Sequence, residues 1–285
     1  MSTPGSVPLR TTIPALLSPV VVALGVVAMG VPVTLATVAA RRGHPLGLRP
    51  LLIASELALI VPALAVLLLM RRPIVASLGL RPISRATVVV ALCGGIALWA
   101  ASLGLLEVQS WRWPPSEAFL ETFRQLHAAL YPRDALDALF SVVAIAVFPA
   151  VCEEILFRGM VLPSLVRPLG ALGAVLGSAL LFGVIHLDFT GEGTAFTRIP
   201  FAILVGVGLG ILRVRTGSLI PPILAHATLN AITFATVVLT GADMDETPDP
   251  LLGAALLVGG AALAAIALRH ARPSLTAPDA APRLD

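Results

Sequence analysis

The chain has 285 residues, of which 57% are hydrophobic and only 12% are charged, and its mean hydropathy is +0.96. A soluble domain carries about 25% charged residues, so this composition excludes an ordinary soluble protein and indicates a chain that resides in a lipid bilayer. The net charge of +3 arises from arginine without any lysine. Because the arginines lie mainly in short loops between apolar runs, they are typical of orientation signals and do not indicate nucleic-acid binding.

Apolar runs close to the ~20 residues of a membrane-spanning helix recur along the whole chain. They are too long for the strands of a membrane barrel, and helices satisfy their own backbone hydrogen bonds in lipid. The sequence therefore predicts an all-α, polytopic membrane protein with about eight transmembrane helices. The predicted spans cover residues 12–40, 51–70, 86–106, 137–157, 169–187, 199–214, 218–240 and 251–268.

The second predicted span contains one acidic residue, Glu56, that has no partner visible in the sequence. Acids inside a membrane often mark ion or proton pathways, so Glu56 motivates a small ion-coupled transporter as an alternative function. A residue that is merely hydrated or packed between helices is the plainer interpretation.

Residues 107–136 differ from the other connections. Trp111 and Trp113 precede a helix that Ser116 is suited to cap, and its apolar residues recur at helical spacing between charged ones. This pattern predicts an amphipathic helix at the membrane interface, with the tryptophans at headgroup depth. Two interpretations stay open: a connector packed on the helix bundle, or a lid over a site below it.

Two adjacent carboxylates, Glu153 and Glu154, end an apolar run and are followed by Arg158. Charges inside a bilayer are rarely kept unless they are paired, hydrated or functional. Glu154 and Arg158 are four residues apart with the acid first, which favours an ion pair along one helix face. Since successive helix residues point about 100° apart, Glu153 is expected to face a cavity unpaired, as a general base would.

Three further polar side chains lie in later apolar helices: His186, His226 and Asn230. His226 and Asn230 are four residues apart and share a helix face. Together with Glu153 they predict a shared polar cavity suited to amide hydrolysis. Glu153 would deprotonate a water that His186 helps to hold, while His226 and Asn230 would donate hydrogen bonds to the oxyanion.

A metal-dependent site is the alternative chemistry. His186 and His226 with a carboxylate match the ligand set of a zinc hydrolase. The sequence lacks His-Glu-x-x-His, in which two ligands lie on one helix beside the base. No cofactor is therefore assigned, although a divalent metal such as zinc stays open, and the residues alone favour hydrolysis without a metal.

The chain resembles the CPBP family of intramembrane proteases, which includes type II CAAX prenyl endopeptidases and bacteriocin-processing enzymes. The resemblance rests on three ordered motifs, Glu-Glu-x-x-x-Arg, Phe-x-x-x-His and His-x-x-x-Asn. The matching residues are Glu153, Glu154, Arg158, Phe182, His186, His226 and Asn230. The resemblance implies an eight-helix protease with Glu153, Glu154, His186, His226 and Asn230 in its catalytic site, and with Glu153 as the base. We expect Arg158 to be structural.

The resemblance, together with the apolar runs and the composition, predicts a domain organisation and a setting. The expected catalytic core spans residues 137–240, after N-terminal helices and the amphipathic connector in 1–136. A last membrane helix follows in 241–272, and a disordered tail in 273–285. The expected partners are the bilayer and a membrane-associated protein or peptide substrate, and the lysine-free composition suggests a bacterial plasma membrane. A non-catalytic scaffold that binds a partner helix in the polar cavity is a further alternative.

Overall fold

The computed structural model describes residues 13–44, 46–187, 197–240 and 248–272. Within these residues the regular structure is helical and no strand occurs. In chain order the helices are α1 (Ser18–Arg41), α2 (Leu48–Leu69), α3 (Ile74–Leu78), α4 (Arg85–Arg112), α5 (Glu117–Leu130), α6 (Ala135–Val142), α7 (Phe148–Glu154), α8 (Leu162–Val184), α9 (Ile199–Thr216), α10 (Ile220–Thr240) and α11 (Pro250–His270). Two π-helical segments, Val143–Val147 and Ile155–Val161, flank α7. The predicted all-α class is confirmed.

Helix ends coincide with local capping signals. Ser84, Ser116 and Asp134 precede α4, α5 and α6, and each side chain accepts a hydrogen bond from a backbone N–H in the first turn. Asp249 does the same for α11. At the other end of α9, Gly217 adopts a φ of 65°, a left-handed conformation that terminates the helix and favours glycine.

Seven helical stretches of the described chain are long and apolar enough to cross a membrane. The predicted spans 137–157 and 169–187 are not separated by a loop, because residues 135–184 form one 50-residue helical stretch. That stretch is broken at Gly170, whose φ of 69° and ψ of 178° are not helical. The sequence predicts about eight spans, and the described residues contain seven, because two predicted spans fall in this one stretch. The polytopic membrane architecture is confirmed.

The distribution of side chains is that of a protein solvated by lipid. Large apolar residues such as Leu24, Val27 and Leu263 point outward and are exposed. Charged residues including Glu154, Arg158 and Arg213 are instead buried inside the bundle. This inverted pattern locates the polar chemistry in the interior, where it is shielded from lipid.

Helix packing brings α7 to the middle of the fold. α2 and α10 both pack against α7, while α8 and α9 pack against each other. α4 lies along α11 and also contacts α10. Buried apolar residues of the second π-helical segment and of α9, such as Phe157 and Leu209, form the core beneath this arrangement.

The amphipathic connector is present as α5, with Phe119 and Leu130 buried and its charged residues outward. Arg49 at the start of α2 holds the end of this helix by donating to the Leu130 carbonyl and pairing with Asp137 of α6. The proposed tail 273–285 and the acidic residues 243–247 lie outside the described residues.

Candidate active site

Glu153 and Glu154 are the last two residues of α7, between the two π-helical segments. Both side chains are buried. A π-helical turn shifts the backbone hydrogen bonds from i→i−4 to i→i−5, and such turns often occur at functional sites. Two outside donors reach carbonyls of the second π-helical segment: Ser178 Oγ donates to the Phe157 carbonyl and Arg213 Nε to the Arg158 carbonyl.

The expected pairing of Glu154 with Arg158 is present. Arg158 Nη1 donates to Glu154 Oε1 at 2.6 Å, and both side chains have 0% exposure. Arg158 Nη2 donates to the Gly206 carbonyl of α9 at 2.9 Å. Because a Cβ on Gly206 would already lie 3.0 Å from Ala179, glycine allows this close approach of α9 and α8.

The His226 ring lies between the two carboxylates. Its Nδ1 is 3.1 Å from Glu154 Oε1, and its Nε2 is 3.6 Å from Glu153 Oε2. A carboxylate only accepts hydrogen bonds, so the Nδ1 contact assigns the proton to Nδ1. Glu153 is therefore less isolated than its spacing predicts, although it makes no hydrogen bond to any described residue.

Phe182 forms an aromatic centre around which the other site residues gather. Its ring centroid lies 4.7 Å from that of His186 and 5.9 Å from that of His226. The Arg158 guanidinium lies 4.7 Å from the same ring, in a cation–π contact. The Phe182 ring of the Phe-x-x-x-His motif therefore contacts His186, His226 and Arg158.

His186 follows the end of α8 and is partly buried. Its Nδ1 lies 2.8 Å from the Phe182 carbonyl. Since a carbonyl accepts, Nδ1 carries the hydrogen, and Nε2 of the neutral ring is left as an acceptor. This arrangement suits a residue that holds a water through Nε2.

Asn230 lies one turn beyond His226 on α10 and is half-buried. Its side-chain amide makes no hydrogen bond to another described residue. In this it differs from His226, whose ring lies beside both carboxylates. The two N–H donors of Asn230 are free to meet a group that enters from outside the protein.

Arg198, just before α9, links the connector to the site. Its guanidinium lies 5.7 Å from the Phe123 ring of α5. Its charge is near enough to act on both Glu153 and His186. The Arg198 contact with Phe123 is compatible with both interpretations of α5, connector or lid.

The same residues include His186 and His226, the two predicted ligands for a metal ion. Across the described ranges, no group of three or more His, Cys, Asp or Glu side chains is arranged to hold a metal ion. Nδ1 of His226 already faces Glu154, and Nδ1 of His186 faces a carbonyl. These contacts use Nδ1 and leave Nε2 of each ring as the nitrogen that could bind a metal. A metal at His186 and His226 stays a prediction, and no step below is derived through it.

The sequence does not predict two features of this region. Arg213 lies near the end of the predicted span 199–214, where a charged side chain is expected to reach water, yet it has 2% exposure and donates to the backbone of Arg158. Glu56 has no visible partner in the sequence, and it belongs to α2, which packs against α7. Both arrangements join elements distant along the chain, so only the intramembrane position of Glu56 offered a signal.

Comparison with known families matches part of the chain. Residues 135–232 match the family model described as Type II CAAX prenyl endopeptidase Rce1-like. No curated protein and no solved structure matches the chain. The matched range contains all three motifs, and the resemblance drawn from them is confirmed over these residues.

Proposed function

We propose that this chain is an intramembrane endopeptidase that uses Glu153 as its base, a function that the match of residues 135–232 to the Type II CAAX prenyl endopeptidase Rce1-like family model supports. The observation that carries the proposal is the buried cluster in which Glu153 is held beside His226 while Glu154 is occupied by Arg158. The family match supports a CAAX-type protease activity. The buried cluster supports the roles proposed for Glu153, Glu154 and Arg158.

The first step is attack by water. Glu153, which no described residue hydrogen-bonds, takes a proton from the water as the oxygen forms a bond to the carbonyl carbon of the substrate. Nε2 of His186 accepts the second hydrogen of the water and so fixes its orientation. Glu153 later returns the proton to the leaving amine nitrogen as the C–N bond breaks.

The developing oxyanion needs hydrogen-bond donors. The Asn230 amide supplies one, since it has no partner among the described residues. His226 supplies another through Nε2 when both ring nitrogens carry hydrogens, because Nδ1–H is already directed at Glu154. Donors placed in this way before the reaction act strongly where water is excluded.

The substrate is proposed to be a membrane-associated protein or peptide. The site is enclosed by helices whose outer surfaces are apolar, so a substrate reaches it from the membrane or its interface. A CAAX sequence is a C-terminal cysteine, two aliphatic residues and a variable residue, and a prenyl group on that cysteine binds membranes. The bacterial plasma membrane is the proposed location.

The proposal is tested by replacing Glu153 with glutamine, which is nearly isosteric but cannot accept a proton as a base. Purified protein in proteoliposomes is assayed with quenched fluorescent CAAX peptides, with and without a farnesyl group. We expect Glu153→Gln to lower kcat by at least about 100-fold, the usual minimum contribution of a general base. Comparison of membrane proteomes then identifies the precursor that accumulates in the variant.

The matched control is Glu107→Gln, at a second glutamate of a membrane helix. Glu107 in α4 accepts the Asp249 backbone N–H at 3.3 Å, and glutamine keeps an accepting oxygen. We expect wild-type cleavage from this control. A Glu153→Gln protein of normal abundance that cleaves as the wild type does would rule out Glu153 as the base. Absence of cleavage by the wild type, together with an unchanged cellular phenotype in Glu153→Gln, would favour the scaffold.

A further inference from the structure

A cavity of about 550 Å³ lies where the segment before α1, the end of α2 and the first part of α8 come together. Its volume is within the range of about 300–1,000 Å³ that is usual for ligand pockets. The described residues that line it include Ile13, Met70, Arg72, Ser164 and Arg167. None of the residues assigned to the active site lines it, so this cavity is a separate site.

Two arginines from different helices give the cavity a positive charge. Arg72 follows the end of α2, and Arg167 lies in α8, three residues before the break at Gly170. No described residue forms an ion pair or a hydrogen bond with either guanidinium. No aspartate or glutamate is among the described lining residues, and none occurs in residues 1–12. The charge is therefore left for an anion from outside these parts of the chain.

The end of α2 determines where Arg72 leaves the helix. Arg71 has a φ of 52°, in the left-handed region that favours glycine. Its N–H donates to the Leu68 carbonyl, and the Arg72 N–H donates to the Leu67 carbonyl, both at 2.9 Å. These are the two hydrogen bonds of a Schellman cap. Arg72 therefore follows a defined turn and not a free loop.

Ser164 joins two walls of the cavity. Its side chain has 1% exposure, and its Oγ donates to the Val161 carbonyl at 2.6 Å. Because a hydroxyl has one hydrogen, Ser164 accepts the hydrogen of Ser18 Oγ of α1 in the second contact, at 2.5 Å. This contact fixes α1 against α8, so the cavity is already formed in the described chain.

The remaining lining is apolar and continues into residues that face lipid. Ile13 and Met70 line the cavity beside the arginines. Leu69, which precedes Met70, is 83% exposed, and Leu16, close to Ile13 in sequence, is 88% exposed. Arginines at the ends of membrane helices reach the headgroup region, while exposed leucines contact acyl chains. The ligand that suits both parts has an anionic head and an apolar tail.

We propose that this cavity binds the phosphate group of an anionic phospholipid between Arg72 and Arg167. A guanidinium presents N–H donors in a plane that matches two phosphate oxygens. Basic pockets between membrane helices are known to bind anionic lipid head groups. A free phosphate ion shares the anionic chemistry but leaves the apolar surface uncovered. The inference does not depend on Glu153, so it goes beyond the proposed function.

The test measures the Tm of the purified full chain in detergent micelles as the mole fraction of phosphatidylglycerol is raised. The salt concentration is about 0.3 M, so that exposed charges are screened. A ligand that binds the folded state raises the Tm. We expect a rise with phosphatidylglycerol, and none with phosphatidylcholine, whose choline group cancels the phosphate charge, or with inorganic phosphate. Glu153→Gln protein should respond as the wild type does.

The variants are Arg72→Gln and Arg167→Gln, and the matched control is Arg71→Gln. Each of the first two should raise the half-saturating mole fraction at least about tenfold, the usual loss for a hydrogen bond to a charged group. Arg71 is adjacent and also exposed but does not line the cavity, so the control should change it about threefold or less. Without added lipid, the three variants should have the wild-type Tm.

Four results would overturn the inference. The first is a wild-type Tm that does not respond to phosphatidylglycerol. The second is an equal rise with inorganic phosphate, which would assign the cavity to a free anion. The third is an equal loss in Arg71→Gln and Arg72→Gln, which would mean that the lipid responds to the general charge of this end of the bundle. The fourth is an Arg72→Gln or Arg167→Gln protein that unfolds without lipid, since the guanidinium would then serve the fold.

Discussion

Arg158 and Glu154 are both removed from water, so each needs the other to balance its charge. Arg158 also donates to the Gly206 carbonyl, and Glu154 also accepts from His226. A buried pair of this kind is not in itself strongly stabilising, yet removal of one partner strands the other charge. We therefore assign the pair to the fold around the site, and Glu153 to the chemistry.

Replacement of Arg158 with alanine should destabilise the protein by about 3–5 kcal/mol, because Glu154 is then left buried without its main partner. The measurement is the Tm and abundance of the purified protein in detergent. Arg133→Ala is the control, since Arg133 is also four residues from its acid, Asp137, but is exposed. An exposed pair contributes little to stability, so we expect Arg133→Ala to leave the Tm close to that of the wild type. Normal abundance with selectively lost cleavage in Arg158→Ala would instead make Arg158 catalytic.

At this scale the sequence predicts contacts along one helix and not those between helices. The spacing of Glu154 and Arg158 predicts their pairing, because residues four apart in a helix are neighbours. The contact of His226 with both carboxylates joins α10 to α7, and no local pattern indicates it. The burial of Arg213 is hidden for the same reason, since its partners are carbonyls of Arg158 and Leu78.

At the scale of elements, α5 illustrates what local pattern can predict. Its cap at Ser116 and its apolar spacing are visible in the sequence, and the helix begins at Glu117. The π-helical segments beside α7 are not visible in this way. Carbonyls of the second one accept from Ser178 of α8 and Arg213 of α9, which are donors supplied by the tertiary fold.

The packing of α5 should depend on pH through His127. Burial lowers the pKa of His127 below its usual value, and its Nδ1 is buried without a partner in the described residues. The ring packs against the edge of Phe123, with centroids 5.4 Å apart. Because the folded-state pKa is lower than the unfolded one, this packing contributes fully above about pH 6.5 and is lost as the pH falls through the folded-state value.

Amide hydrogen exchange of residues 117–130, corrected for the intrinsic effect of pH, measures this opening. We expect protection to fall between pH 7.5 and pH 5 in the wild type. His127→Phe should abolish the change, because phenylalanine keeps the ring but does not titrate. His44→Gln, at an exposed loop histidine, should respond like the wild type. An unchanged pH response in His127→Phe would assign the opening to another group.

At the scale of the whole molecule, composition and apolar run lengths suffice to predict the class of protein. They place lipid-facing residues outside and leave few charges, which then have to lie in the interior. The gap predicted at 158–168 ends next to the observed break at Gly170, but residues 158–168 are themselves helical, because Arg158 is satisfied inside the bundle. Hydropathy does not register partners of this kind, so it ends the first span before Arg158, short of the break.

The helices outside the matched range are joined to the core by close packing of small residues. α11 lies along α4, which in turn packs against α10. Gly260 of α11 faces the backbone of α4: a Cβ there would lie 2.8 Å from the Ala97 carbonyl oxygen and would clash with the Ala101 backbone nitrogen. A Cβ added to Gly259, its neighbour in sequence, would meet nothing within 4 Å. Van der Waals packing of small residues is the main attraction between helices in lipid, because the lipid tails are as apolar as the side chains.

These adjacent glycines give a matched pair of substitutions. Gly260→Ala has to push α11 away from the α4 backbone, and we expect a loss of about 1–3 kcal/mol, the usual cost of overpacking. Gly259→Ala adds the same methyl group to the lipid-facing side, so its Tm should equal or exceed that of the wild type, since alanine favours helix by about 1 kcal/mol over glycine. Thermal unfolding of the two variants in the same detergent measures the difference. Equal Tm values would mean that α11 does not pack on α4 as closely as described, and that the core of residues 135–232 is stable without that support.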